Sequence, residues 1–584
     1  MPWQRRVPGF RYIACCRWSN VTPRPVLLGS YAAKRCARAT HNSFDTAFTA
    51  RLARTVAEHP ESVPGPDQGL LDLGINHEAA VYRAWLHSGV DAVDLRPLDG
   101  DKGAHIAATL TALRDRRAVI LGGRLPDDVD GGRTGKPDVL IREGSGSGYH
   151  PCDIKAHRVL GGRGAAGLMA DAANPALGDA VLSDGGFRYH EGDLLQLAHY
   201  WRMLEACRHQ AARPWGAIVG TDPGALPILA WYDLNAPVFS TFSRSRGTAT
   251  RSSLERYDHE HVFRVRVAQV ARQRTGTAID PEPLVQPIGQ EECVTCRWAP
   301  VCVDTLPSDD VSRELQGTMR VREYLALRRQ GIDSMADLAG ADVDSLLDGD
   351  YADETSPDRG RARRLRKAHV AAQLFRDGVV LRLKPGAVFD APRAEVEIDL
   401  DMESTREGRV YLWGALVTMA GVSTFHPFID LGVDDDASER ALAVRCFDWL
   451  RENWPNAVIY HYSPVEKTKA RAILGSAIGE YIGSVSDPET WIDLLSVARD
   501  CLEGRTLGLK DVAIEGAGFH WRDDDPGGLQ SQAWLDQARA GEPGATARIL
   551  EYNEDDVRAT LAVRNWLARV TAQSPVEQLR GQAT

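Results

Sequence analysis

The rhythm of apolar and polar positions changes several times along this chain, and each change marks an element. Residues 137–143 (PDVLIRE) and 149–155 (YHPCDIK) flank the glycine-rich stretch 144–148, which predicts two strands folded back about Gly146. Helical spacing governs 77–86 (HEAAVYRAWL) and returns around 196–200 (QLAHY). From about 307 to 378 the texture is helical and charged. Alternation of acid and apolar residue then predicts a strand over 395–403 (EVEIDLDME). A further strand at 458–460 leads into a helix beginning near Glu466, and 547–567 (ARILEYNEDDVRATLAVRNWL) reads as a long helix.

These elements place chemistry. A hairpin about Gly146 sets Asp138 nearly opposite Asp153 and Ile154. Alternate residues of a strand share a face, so Asp153 and Lys155 point the same way. Two carboxylates and the carbonyl of Ile154 offer a hard cation such as Mg²⁺ or Mn²⁺ part of an oxygen shell, while Lys155 can orient or help deprotonate a water. Taken alone, Asp138 and Asp153 read more readily as ordinary charges on an exposed hairpin. Two flanking motifs add to them. Gly74-Ile75-Asn76-His77-Glu78 opens the first helix, which puts His77 in its first turn as a nitrogen ligand to the same metal. Gln196 and Tyr200, four apart on one helix face, can touch a phosphate or a base.

In order, G-x-x-H-E, G-x-P-D, D-I-K and Q-L-x-x-Y resemble the RecB-type branch of the PD-(D/E)XK nucleases. The resemblance implies a restriction-endonuclease-like α/β domain and metal-dependent phosphodiester hydrolysis. Cys293, Cys296 and Cys302 form a C-x2-C-x5-C cluster, with Cys36 far upstream. This set resembles the iron-sulfur clasp of RecB-type exonucleases, implying a [4Fe-4S] cluster that ties the start of the domain to its end. Zinc on the same thiolates is the chemical runner-up. Cys15, Cys16, Cys152, Cys207, Cys446 and Cys501 are scattered and read as small apolar packers, and disulfides are not expected without a secretory signal.

The alternating strand puts Asp399, Asp401 and Glu403 on one face, where they repel one another unless a cation is shared or the strand is an exposed edge. Downstream come His461 with Glu466, then Tyr552 and Asp556 at i and i+4 of the long helix. D-x-E, H-x-x-x-x-E and Y-x-x-x-D resemble the DEDD exonuclease layout on an RNase H-like fold, as in the DnaQ-type and YprB-like groups. The resemblance assigns Asp401, Glu403, Glu466 and Asp556 to two divalent ions and Tyr552 to the attacking water. Glu466 stands where most relatives carry aspartate. Chemistry alone leaves Asp399-x-Asp401 and Asp401-x-Glu403 both open. Asp493 and Lys510 are lesser members of the neighbourhood.

The expected architecture is therefore an N-terminal extension (1–27), a RecB-like domain (28–306), a helical connector (307–384), an RNase H-like domain (385–572) and a tail (573–584). Within the connector, 325–347 resembles half of a helix-hairpin-helix element that turns at Gly331. The expected function is hydrolysis of nucleic acid, DNA in single-stranded or end-frayed form, at two separate metal sites in an exonuclease. The alternative is a nucleic-acid-binding scaffold that has lost chemistry at one or both sites and recruits a helicase.

Composition bounds this reading. At 584 residues and 43% hydrophobic content the chain has ample material for buried cores. A net charge of −11 excludes a general polyanion-coating protein but not a local basic channel. Basic residues concentrate before Asp45, from Arg5 to Arg38, and again in 359–367 (RGRARRLRK). Stretch 131–137 lacks the Ser/Thr that a phosphate loop carries after its lysine, so no ATP site is expected. No segment reaches the roughly 18 apolar residues of a membrane span, and a cytoplasmic location is expected.

Overall fold

The computed structural model describes residues 25–572 except 66–67, 145, 223, 244–246, 407, 476–489 and 524–527. The terminal stretches 1–24 and 573–584, with Cys15, Cys16 and the first arginines, lie outside the described residues. The chain divides into two compact units, one running to Ser308 and including Asp353–Arg359, the other holding Asp309–Ala352 and everything from Gly360 onward. Most of the connector therefore clusters with the C-terminal unit. The first unit already takes in Val26, which packs with Leu28 and Ala268, so the extension stops short of residue 27.

The first unit is built on eight strands: β1 (Ala92–Asp94), β2 (Val119–Leu121), β3 (Val139–Arg142), β4 (Tyr149–Ile154), β5 (Leu160–Asp171), β6 (Val181–Phe187), β7 (Trp215–Val219) and β8 (Ile228–Asp233). They are ordered β1-β2-β3-β4-β7-β8-β5-β6 in one mixed sheet. β3 and β4 pair antiparallel with Val139 opposite Cys152 and Arg142 opposite Tyr149, which carries Asp138 to the level of Asp153. β4 runs parallel to β7. Every residue of β4 is buried. A strand covered on both faces loses strict alternation, and for that reason YHPCDI reads less clearly than EVEIDLDME. Cys152 faces the apolar cluster of Val139, Ile141 and Trp231, away from Asp153. The helix Glu191–Ala206 lies over β4 and β7, burying Leu197, Ala198 and Trp201.

β9 (Pro237–Ser243) and β10 (Gly247–Ser252) form a separate hairpin. In the second unit, short helices Val321–Arg329 and Met335–Gly340 flank Gly331, whose φ of 75° gives the turn a conformation other residues avoid. Much of the basic run 359–367 lies on the helix Arg361–Asp377, where Arg364 grips the buried Glu323 with two hydrogen bonds of 2.8 and 2.9 Å and Arg366 pairs with Asp344 at 2.8 Å. Those two arginines are engaged within the unit.

β11 (Leu381–Leu383) pairs with β17 (Leu502–Gly504). The principal sheet comprises β12 (Val396–Ser404), β13 (Val410–Met419), β14 (Val422–Ile429), β15 (Val458–His461) and β16 (Trp491–Asp493), ordered β14-β13-β12-β15-β16. β12, β13 and β14 pair antiparallel, while β15 and β16 run parallel to β12. β12 is thus central, which removes the exposed-edge reading of its acids. The helix Ala545–Ala572 packs across β12 and β13 and brings its polar face onto the strand that carries those acids.

Candidate functional site

In the N-terminal unit the structure brings Asp138, Asp153, Lys155, Gln196 and Tyr200 into one network. Asp153, fully buried on β4, forms an ion pair with Lys155 and accepts from the Gln196 amide at 3.2 Å. Asp138 accepts from the backbone N–H of Ile154 at 2.8 Å, leaving the Ile154 carbonyl on the same strand end. Gln196 Oε1 receives two ammonium groups, Lys155 at 3.1 Å and Lys34 at 2.8 Å. The Tyr200 hydroxyl bonds the Lys136 carbonyl and Ser30, both at 3.1 Å. Gly135 explains the first position of G-x-P-D, because a Cβ there would stand 2.8 Å from the Tyr200 ring.

Burial, then the negative charge of Asp153, raises the Asp138 carboxyl well above the ordinary range. Burial disfavours the Lys155 charge, but the carboxylates of Asp153 and Asp138 more than offset it, so Lys155 stays charged. Lys34 is pushed down to about 8 by burial and by Lys155. The sequence placed Lys34 in a basic stretch and gave no sign that it reaches Gln196, 162 residues away.

His77 departs from expectation. The helix begins at Gln68 and runs to His87, which puts His77 in its middle rather than its first turn. GINHE continues a helix already under way because none of its residues breaks one, and its glycine is tolerated in mid-helix. The His77 Nε2 is buried with no hydrogen-bond partner among the described residues, and burial lowers its proton affinity. No hydrogen bond or ion pair among the described residues joins it to Asp138 or Asp153.

The four expected cysteines come together in the same unit. The charges of Cys36, Cys296 and Cys302 all act on Cys293, and those of Cys36 and Cys296 act on Cys302. Asn42 donates to Cys302 Sγ at 3.0 Å, and the Cys36 N–H is held by Glu292 at 3.0 Å. Burial raises all four thiols, and neighbouring negative charge adds to the rise, the state of a donor set that a cation would relieve. Among the described residues the donor groups drawn within 4.8 Å of one another are His157, His190 and Asp193, and Asp401, Glu403 and Asp556.

In the C-terminal unit, Asp401, Glu403 and Asp556 converge, one oxygen of each lying within 4.8 Å of the others. Asn553 donates to Asp401, Ser531 to Glu403 and Trp521 to Asp556, all at 2.8 Å, and Tyr552 also bonds Asp556. Gly414 sits opposite Asp401 in register, and a Cβ there would collide with Asn553 at 1.7 Å, so glycine is what lets Asn553 reach Asp401. Burial, then Asp556, Glu403 and Glu466, raise Asp401 far above its usual value. Burial and Asp556 push Glu403 up to about 8, and burial lifts Asp556 to about 6. This crowding of carboxylates fits divalent cations. Glu466 stands beside Asp401, adding to the charge on it, yet lies outside the tight triad; it accepts from Ser463 at 2.9 Å and is 3.6 Å from His461.

Tyr552 is raised by burial and by Asp556, so it remains protonated and acts as a donor. Lys510 lies over the Tyr552 ring at 5.4 Å, and its charge acts on Glu403 and Asp556. Asp493 caps the helix Leu494–Cys501 by accepting from Leu495 at 3.0 Å and Ser496 at 3.3 Å. Arg564, fully buried, grips Asp399 at 2.9 and 3.1 Å and Glu397 at 2.6 Å, leaving Asp401 and Glu403 for the triad. Asn553, within the Y-N-E-D-D run, was legible as a neighbour of the motif; Ser531 and Trp521 carry no local signal.

Residues 398–568 match the family model of the RNase H superfamily, a span that holds the triad, Glu466 and Tyr552. No curated protein and no solved structure matches the chain. The C-terminal unit thus carries an RNase H-like domain, and no helix among the described residues is long and apolar enough to cross a membrane.

Proposed function

We propose that this protein is a metal-dependent nuclease with two separate sites, one in each unit, acting on single-stranded or end-frayed DNA as an exonuclease. The observation that carries the reading is the convergence of Asp401, Glu403 and Asp556 inside the span that matches the RNase H superfamily. Asp401, Glu403, Asp556 and Glu466 would hold two Mg²⁺ or Mn²⁺ ions there, and Asp138, Asp153 and the Ile154 carbonyl one in the RecB-like site. Bound divalent ions supply charge neutralisation at the phosphate and acidify water. Tyr552, protonated, donates a hydrogen bond that orients the nucleophile. Lys155, charged and fixed by Asp153 and Gln196, orients a water or a phosphate oxygen in its own site.

The four thiols, which lie close enough to act on one another's charge, would hold a [4Fe-4S] cluster, with zinc the runner-up on the same ligands. Anaerobically purified protein is expected to carry iron and inorganic sulfide, and Cys36→Ser to lose both; one zinc and no iron would replace the cluster with a zinc clasp.

The nuclease reading is tested with the full chain, Mn²⁺ and end-labelled single strands. Cleavage abolished only when Asp153→Asn is combined with Asp401→Ala and Asp556→Ala supports two sites. Absence of any cleavage by wild-type protein, on DNA and RNA alike, would favour a binding scaffold.

A further inference from the structure

A second group of donors lies in the N-terminal unit apart from the carboxylates described above. His157 follows β4, His190 immediately precedes the helix Glu191–Ala206, and Asp193 sits in that helix's first turn. One nitrogen from each imidazole and one Asp193 oxygen lie within 4.8 Å of one another. His157 Nε2 is 2.8 Å from Asp193 Oδ2, and the two imidazole rings are 4.2 Å apart at their centroids. A structural ion pair between His157 and Asp193 needs no second imidazole. His190 is exposed and nonetheless stands against His157.

We propose that His157, His190 and Asp193 form a further metal site, for a first-row divalent cation of borderline softness such as Zn²⁺ or Co²⁺. Two imidazoles and one carboxylate suit such ions better than Mg²⁺, whose preference is for oxygen. Metal–ligand bonds of about 2.0–2.2 Å require the donors to close in from their present spacing. His157 lies in a loop and His190 at a helix boundary, where small side-chain rotations accomplish this. Burial and the neighbouring His157 keep the His190 ring below its ordinary proton affinity, which favours the neutral, ligating form. The site is distinct from the carboxylate centre but close to it in charge: Lys155 and Lys34 both act on Asp193, which precedes Gln196 by about one helical turn. Three protein ligands leave positions open, and an anion held by the two lysines could complete the shell.

The test uses the full chain and Zn²⁺ in equilibrium dialysis, with bound metal counted per chain, and Co²⁺ as a spectroscopic probe. His190→Ala is the decisive variant, since it removes a ligand from the surface and leaves the His157–Asp193 pair intact. Wild type is expected to bind one more Zn²⁺ than His190→Ala and than His157→Ala, with unchanged thermal unfolding of His190→Ala without added metal. The Co²⁺ difference spectrum, wild type minus His190→Ala, is expected to show a weak visible d–d band without thiolate charge transfer. The extra ion should persist in a protein carrying Asp153→Asn, Asp401→Ala and Asp556→Ala, so failure of the nuclease reading would leave this result untouched. Equal Zn²⁺ stoichiometry in wild type and His190→Ala, or no difference band, would overturn the proposal and leave His157–Asp193 as an ion pair only.

Discussion

The two carboxylate centres solve the same electrostatic problem in different ways. In the N-terminal unit, Asp138 and Asp153 are accompanied by Lys155 at the end of the same strand, and the Gln196 amide ties that lysine and Lys34 together. In the C-terminal unit, Asn553 donates to Asp401, Ser531 to Glu403, and Trp521 and Tyr552 to Asp556, and the charge of Lys510 acts on Glu403 and Asp556. Lys155 stays charged beside Asp153 in the first site, yet burial and Asp153 still raise Asp138. The second must retain protons or recruit metal, because like charges in a buried space cannot all ionise unaided.

The largest effect should come from separating the sites. Asp153→Asn, and independently Asp401→Ala with Asp556→Ala, are each expected to lower their own component of cleavage by at least about 100-fold, the scale for loss of one preorganised electrostatic group. Rates on labelled single strands in Mn²⁺, for each variant and the combination, check this. If either set alone removes all activity, the sites are not independent.

Arg564→Ala sharpens the contrast among the β12 acids. It leaves Asp399 buried without the arginine that grips it, and Glu397 with Arg393 alone, and should cost about 3–5 kcal/mol in urea unfolding of the full chain. A cost below about 1 kcal/mol would mean that Asp399 is not held by the arginine and remains open to metal.

The dependence on metal should itself depend on pH. Glu403 at about 8 and Asp556 at about 6 are raised in the folded state, so the stability they contribute is full below ordinary carboxylate values and is lost as pH rises through 6 to 8. Metal-free protein is expected to unfold at lower temperature at pH 8 than at pH 5.5. Mn²⁺ should restore more at the higher pH, where a concentration of 100 times Kd stabilises by about 2.7 kcal/mol in all. Scanning fluorimetry with and without Mn²⁺ reads this directly, and an equal Mn²⁺ shift at both pH values would remove the contrast between the centres.

The smallest effect concerns Asp493. Asp493→Ala should cost about 1 kcal/mol through loss of the helix cap, with cleavage unchanged. A large loss of cleavage at constant stability would return Asp493 to the site.

Local regularities were legible in the sequence because they depend on neighbours a few residues away. The hairpin register that levels Asp138 with Asp153, the shared face of Asp401 and Glu403, and the i, i+4 pairing of Tyr552 with Asp556 follow from periods of 2 and 3.6. The helix around His77 was legible too, but not its start, because GINHE is as compatible with the middle of a helix as with its beginning. Tertiary structure decided the rest. Asp399 and Asp401 are chemically identical on one face of one strand, and what distinguishes them is Arg564, 165 residues onward, packed against the first, with Asn553 reaching the second. Lys34 joins Lys155 only because the segment before Cys36 lies against the helix that carries Gln196. Residue type and spacing determined which side chains could share a face; the packing of distant elements determined which of them share a charge.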